Sequence, residues 1–207
     1  MQLARGAAAL LTLCLIALSG ASVAIAESRA PKMGVFTRPG VTIDLSVPFV
    51  GADGAAKPLR SFLTPGTPFI LIPTFYHCPR LCGLTFAGLE EFVNGSSLRL
   101  GSEYQIIAYS FNPEEQHGDS EERRARFESR LKVPYAEAGT VFLTGSKESI
   151  EALNSQLDFR VRMADKEFEH SSALFIFGPS GKLVRYFAGV EFPPERVDAA
   201  LRSGKGL

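Results

Sequence analysis

Two cysteines four residues apart, Cys78 and Cys82, carry the chemistry most open to reading in this chain. They sit in Phe75-Tyr76-His77-Cys78-Pro79-Arg80-Leu81-Cys82-Gly83, directly after the apolar run Phe69-Ile70-Leu71-Ile72. A strand is expected to turn into a helix there, with Cys78 near the helix's amino end, Pro79 at its first position and Cys82 one turn on. Unpaired N–H groups and the helix dipole at that end favour thiolate over thiol. On a regular helix, residues four apart hold their Cβ atoms about 5–6 Å from each other, whereas a disulfide wants about 3.5–4.5 Å. The sulfurs are therefore spaced to straddle one soft metal ion, and a loosened first turn would let them join. Spacing alone leaves metal binding and reversible disulfide chemistry equally open. A purely structural staple over so short a loop would stabilise little.

A metal would need more donors, and the chain has three histidines. His77 adjoins Cys78, but its side chain need not point at the sulfurs, and a surface or supporting role is the plainer reading. His117 lies in the polar loop Glu114-Glu115-Gln116-His117-Gly118-Asp119 and reads as solvated. His170 falls between Glu167-Phe168-Glu169 and an apolar strand beginning at Ala173. A lone histidine is most often structural, so the residues by themselves leave its role open. If it joins the cysteines, two thiolates and one imidazole form a soft, three-coordinate set. That set suits Cu(I) and, with an added water, Cu(II); zinc would normally bring a fourth ligand or an open catalytic position. The motif has no carboxylate to act as a hydrolytic base, and the chain has no G-x-S-x-G, Walker or Rossmann pattern.

These residues need a scaffold. Val41 to Phe62 reads as a short hairpin about Asp53-Gly54. Pro68 to Phe75 is an apolar strand covered on both faces. The next helix places Cys82, Phe86, Leu89 and Val93 on one side and stops at Asn94-Gly95. Tyr104 to Phe111 is a strand ended by Asn112-Pro113. Asp119 and Glu122 form a capping-box pattern opening a helix that runs to about Leu131. Thr140 to Leu143 is a strand, followed by a helix with Ile150, Leu153 and Leu157 on one side. Ala173 to Phe177 and Lys182 to Phe187 flank the turn Gly178-Pro179-Ser180-Gly181 as a hairpin, and Pro193-Pro194-Glu195 starts a last helix. Alternation followed by a terminal hairpin predicts an α/β fold. It is a thioredoxin-like three-layer sandwich with an N-terminal β-hairpin extension and a C-terminal β-hairpin plus helix. In that fold the loop before the last hairpin faces the cysteine motif. Here it holds His170-Ser171-Ser172, without the proline that disulfide oxidoreductases of the fold usually carry there, which favours metal binding over exchange.

The chain has 207 residues, with 22 basic and 22 acidic side chains. Met1 to Ala26 reads as a secretory signal: Arg5, an apolar stretch from Ala7, then Ala24-Ile25-Ala26 before Glu27. Residues 6–26 are also long enough to remain as a membrane anchor. Cys14 lies inside this segment, and the bulky Leu13 before it makes it a poor lipid-attachment site. Residues 27–40 are a linker with Pro31 and Pro39, and residues 41–207 form one domain. Export would place the two motif thiols where they tend to oxidise. Nothing argues for nucleic acid. Arg123 and Arg126 are matched by Asp119 and Glu122 four residues earlier, the signature of a solvated helix face.

The run from Phe75 to Cys82, with His170 just before the final hairpin, resembles the Sco/SenC family of copper chaperones. The similarity extends from about Val47 to Leu201. Ala108-Tyr109-Ser110-Phe111-Asn112-Pro113-Glu114, Phe142-Leu143-Thr144-Gly145 and Tyr186 to Pro194 also match its bacterial branch. The resemblance implies copper held by Cys78, Cys82 and His170 as Cu(I), with Cu(II) as a second state. It implies assembly of the binuclear copper centre of cytochrome c oxidase subunit II, or of a related copper protein, with an upstream copper donor. It further implies an exported protein of the bacterial periplasm or the periplasmic face of the inner membrane. The alternative is a thiol-disulfide reductase that keeps a copper-site partner's cysteines reduced, needing Cys78 and Cys82 but not His170. The chain departs from the family pattern at Arg80, Leu81 and Gly83, and at Asn112, where many members have aspartate.

Overall fold

The computed structural model describes residues 33–78, 81–134, 139–164 and 167–206. The signal or anchor at 1–26, the first part of the 27–40 linker, and the helix-opening Pro79 lie outside the described residues. Near the amino end, β1 (Gly34–Val35) is followed by β2 (Pro48–Val50) and β3 (Ala56–Pro58). β2 and β3 pair antiparallel as the expected hairpin. Its turn uses Gly54 at φ +70°, a left-handed conformation that glycine takes without steric cost. After a 3-10 turn at Leu59–Phe62 come β4 (Phe69–Thr74), α1 (Leu81–Gly95) and β5 (Gln105–Ser110). Then follow α2 (His117–Glu128), β6 (Thr140–Leu143), α3 (Lys147–Gln156) and β7 (Phe159–Arg160). The chain closes with β8 (Arg162–Ala164), β9 (Glu167–Glu169), β10 (Ala173–Phe177), β11 (Leu183–Ala188) and α4 (Pro194–Gly204).

The central sheet has the order β11-β10-β4-β5-β6. β4, β5 and β6 are parallel; β10 runs antiparallel to both β4 and β11. Every residue of β4 and β5 is buried, as strands sandwiched between two layers must be. Alternation along these strands sends side chains to two separate cores. Ile70, Ile72, Ile106 and Ala108 meet Phe86, Leu89, Phe92 and Val93 of α1, Phe127 of α2, and Val197 and Leu201 of α4. Phe69, Leu71, Ile107 and Tyr109 face the other way, onto Ile150 and Leu153 of α3 and onto Val47, Phe49 and Leu59 of the amino-terminal hairpin region. The result is the three-layer thioredoxin-like sandwich the element order predicts. Each of the four large side chains that α1 buries contributes about 1.5–3 kcal/mol, so packing fixes this helix independently of anything bound at its first turn.

The β4–β10 register positions the site. Phe175 lies opposite Leu71, and Phe177 opposite Phe69. β4 therefore runs toward the cysteine motif while β10 starts from it, and the residues just ahead of Ala173 are delivered to the carboxyl end of β4.

The structure differs from the expected elements in three places. α2 opens one turn earlier than an Asp119/Glu122 capping box would have it: Asp119 is the acid inside the first turn, and its carboxylate accepts the Gln116 N–H at 2.7 Å. The helix also ends at Glu128, short of Leu131. Two small pairings come in addition to the expected elements: β8 with β9, and β1 with β7, in which Gly34 and Val35 lie opposite Arg160 and Phe159. Among the described residues no helix is long and apolar enough to cross a membrane.

Two glycines of α1 give opposite tests of this packing. A Cβ at Gly83 would meet nothing, whereas a Cβ at Gly88 would run into the carbonyl oxygen of Val190, in the link between β11 and α4. Gly83→Ala is expected to stabilise the domain by about 0.5–1 kcal/mol. Gly88→Ala should destabilise it by about 1–3 kcal/mol. Denaturant unfolding of both variants checks this, and effects of the same sign would contradict the packing described.

Candidate metal centre

β4 ends at Thr74, and the chain turns at once: the Cys78 N–H donates to the Phe75 carbonyl at 3.1 Å. Cys78 lies on this turn, half-buried, three residues before the first described residue of α1. Cys82 falls in the first turn of α1 and is 3% exposed. Its sulfur accepts the Phe75 N–H at 3.3 Å. Neither cysteine is part of a disulfide. The Cys82 thiol is pushed well up from the ordinary range. It shares a hydrogen bond with Cys78, it is buried, and a charged Cys78 would oppose a second negative charge; the Phe75 N–H pulls the other way without cancelling these. This corrects the thiolate expected from the helix dipole. In the metal-free protein, sulfur–sulfur contact and burial outweigh the helix end at Cys82.

His170 follows β9 and precedes β10. The chain separates it from Cys82 by 88 residues, yet its Nε2 lies 3.9 Å from the Cys82 sulfur. Its Nδ1 is 3.0 Å from the Ser171 carbonyl. A carbonyl only accepts, so Nδ1 carries the proton and the Nε2 lone pair faces the sulfurs. Donor atoms of Cys78, Cys82 and His170 all lie within 4.8 Å of one another. Metal bonds of about 2.3 Å to thiolate and 2.0–2.1 Å to imidazole place three donors around one ion roughly 4 Å apart. The set fits an ion with little movement, and its two sulfurs and one nitrogen are a soft donor set.

Aromatic rings wall this group. Phe111 lies 4.7 Å from the His170 ring, centre to centre. Phe168 of β9 meets Phe75 edge-on at 5.5 Å and Phe111 at 5.4 Å. Such a shell limits water and strengthens interactions inside it. His77 is not part of the group. It turns away, with Nδ1 2.9 Å from Glu115 and Nε2 3.6 Å from Asp119. His117 stays exposed at the start of α2.

Comparison with known proteins decides the family. The SCO1/SenC family model matches residues 40–204. The chain belongs to the SCO1/SenC family. Sco proteins are copper-binding proteins of cytochrome c oxidase assembly. No curated protein sequence matches the chain. Among solved structures, a candidate electron transfer protein of Aquifex aeolicus VF5 superposes with a TM-score of 0.71 at 21% identity, covering 82% of this chain and 95% of that one. BsSco, described as a Sco-family cytochrome c oxidase assembly protein with a disulfide switch, gives 0.62 at 21%, covering 82% and 98%. Copper-bound ScoI of Arabidopsis thaliana gives 0.62 at 17%, covering 80% and 99%. At these identities the likeness shows the fold.

The departures from the Sco pattern have local causes. Asn112 uses its side-chain oxygen to accept the Glu114 N–H at 3.1 Å. This is an Asx turn, which asparagine and aspartate both form. Gly83 sits on the open outer side of the helix. Arg80 lies outside the described residues.

The Asx turn shapes a loop that carries Glu115, a residue that no sequence signal singles out. Its carboxylate is buried and accepts the N–H of Tyr76 at 3.0 Å, the N–H of His77 at 2.8 Å and the Ser110 hydroxyl at 2.5 Å. Glu115 thus ties the two residues before Cys78 to the end of β5. The Tyr76 hydroxyl adds a second tie, donating to the Leu143 carbonyl at 2.7 Å. Stranding a buried donor costs about 1–3 kcal/mol. Glu115→Ala is therefore expected to lower stability by that order and to speed hydrogen exchange at the Tyr76 and His77 amides at least about tenfold. Exchange at these two amides matching that of the parent protein would remove Glu115 from this role.

Proposed function

We propose that this protein carries one copper ion on Cys78, Cys82 and His170 and delivers it to the binuclear copper centre of cytochrome c oxidase subunit II. The observation that carries the reading is the convergence of two sulfurs and one imidazole nitrogen within 4.8 Å, with the imidazole tautomer set so that its lone pair faces the sulfurs. Two thiolates favour Cu(I), and the imidazole adds a donor acceptable to Cu(II). Solved ScoI structures of Arabidopsis thaliana and Bradyrhizobium japonicum contain copper, which supports copper as the cargo here. Residues 1–26 read as an export signal or anchor, and a SCO1/SenC lipoprotein of Bacillus anthracis shares the fold. Both support work outside the cytoplasm, and the bacterial periplasm or the periplasmic face of the inner membrane is the location proposed.

A thiol-disulfide reductase is the second reading, favoured by one observation: the two sulfurs lie within 4.8 Å of each other. It uses both cysteines and is indifferent to His170.

An anaerobic Cu(I) titration against a competing chelator separates the two. The reduced domain should take up one equivalent, and His170→Ala should weaken binding by about 10- to 100-fold, the order seen when a metal site loses part of its support. Binding indifferent to His170 would favour the reductase.

The raised Cys82 pKa adds a pH test. A thiol that holds its proton must lose it when a metal binds, so the apparent affinity rises with pH, about tenfold per unit for each proton displaced. Titrations between about pH 6 and 8 should show this slope and release of protons into weakly buffered solution. A flat profile would mean that Cys82 is not a ligand.

A further inference from the structure

The loop that carries His170 is joined to the helix that carries Cys82 by a pair of buried hydroxyls. Thr85 lies one residue short of a full turn beyond Cys82, and Ser172 lies two residues beyond His170. Their oxygens are 2.5 Å apart, and the residues are 4% and 7% exposed. Apart from the Cys82–His170 contact itself, this is the one hydrogen bond between α1 and residues 170–172 among the described residues. The Thr85 hydroxyl also lies 3.1 Å from the Leu81 carbonyl; when it donates there, Ser172 is the donor between the two hydroxyls. The Ser172 carbonyl in turn accepts the Gly189 N–H at 2.9 Å, which fixes the same residue to the end of β11. Ser172 is therefore held from two directions, and His170 hangs from it by one intervening residue whose carbonyl holds the ring's Nδ1.

We infer that Thr85 and Ser172 are positioning residues that hold the His170 imidazole over the two sulfurs, and that they thereby set how well the site holds Cu(II) relative to Cu(I). The inference rests on the copper-binding reading above. The physical link is the different need of the two oxidation states. Cu(I) draws most of its hold from the two thiolates and tolerates a loosened imidazole better than a missing one, whereas Cu(II) depends more heavily on harder donors such as imidazole. A clasp that keeps His170 in place therefore acts mainly on Cu(II). Neither hydroxyl touches the donor atoms themselves, and neither is required by the core, because a pair of buried hydroxyls replaced together by apolar groups of the same shape is close to neutral for stability.

The test is the double variant Thr85→Val with Ser172→Ala, which leaves no stranded hydroxyl, compared with Thr85→Ser, which keeps the hydroxyl pair. Cu(II) and Cu(I) affinities are measured separately by competition, together with the reduction potential of the bound copper. The double variant is expected to lose about 10- to 100-fold in Cu(II) affinity and less than about threefold in Cu(I) affinity. That difference corresponds to a potential raised by about 30–120 mV for a one-electron couple. Thr85→Ser should stay near the parent values. A second readout needs no metal. The His170 ring protons, lying against Phe111, should lose their ring-current shift in the NMR spectrum of the metal-free double variant. If that variant does not fold, Thr85→Ala read by the same spectrum decides. Unchanged Cu(II)-to-Cu(I) preference with unmoved His170 resonances would overturn the clasp. A parent protein that binds no copper would instead overturn the copper reading, and the metal-free spectrum would still judge whether the hydroxyls hold His170.

Discussion

The antiparallel pairing of β10 with β4 is the constraint on which the site depends. β4 leads into the cysteine motif, and an antiparallel neighbour must begin where β4 ends. That single register brings His170 across 88 residues of chain to within 3.9 Å of Cys82. A slip of one residue would turn Phe175 and Phe177 from one core to the other. Ring stacking of Phe69 on Phe177 at 5.2 Å, directly opposite each other in this pairing, opposes such a slip. The donor set is thus specified by burial deep in the sheet and needs no help from a bound ion to find its register.

Each donor is then held by a different kind of force. Cys82 belongs to a helix pinned by the apolar core. Cys78 belongs to a turn pinned by the buried Glu115 carboxylate and the Tyr76 hydroxyl, acting from β5 and β6. His170 belongs to a loop held through Ser172 and the Phe111 ring. Because these anchors are independent, the three donors converge before any ion arrives. The cost of ordering them falls on folding instead of on binding. Buried polar groups such as Glu115 are tolerated only when satisfied. Its contacts with two backbone amides, a hydroxyl and an imidazole meet that condition.

What the sequence reveals follows from how local each signal is. The cysteine pair announces itself because its spacing and the strand-to-helix change lie within one short stretch. The central strands are readable because a short, continuous apolar run bounded by turn residues suits a strand covered on both faces. His170 is different: its partner is remote, and only the resemblance to Sco proteins marks it as a ligand. Glu115 is silent because the second of two adjacent acids in a polar loop looks solvated, and its burial is created by β4 and β5 ending side by side, Thr74 opposite Ser110. β8 and β9 are hidden for a related reason, since Arg162 and the glutamates of β9 dilute any alternation. The capping box is displaced by one turn because Asp119 can serve either as a cap or as the acid inside a cap; only the Gln116 N–H, which its carboxylate accepts, separates the two.

The proposed copper delivery requires release as well as binding, and the two cysteines are unequal in a way that bears on release. Cys82 is buried, and its sulfur already receives a backbone N–H. Cys78 is half-buried and lines an open cleft of about 210 Å³ with Tyr76, His77, Arg123 and Arg126. Under the proposed function an acceptor's thiolate would approach through that cleft toward Cys78, whereas Cys82 is only 3% exposed. Exchange beginning at Cys78 would replace one sulfur with another while Cys82 and His170 stayed in place, so an ion held by the three residues would keep a near-constant donor set. If the protein hands on an ion as proposed, the burial difference between two cysteines one turn apart would give that transfer a direction, with the outer thiol exchanged before the inner thiol and the imidazole.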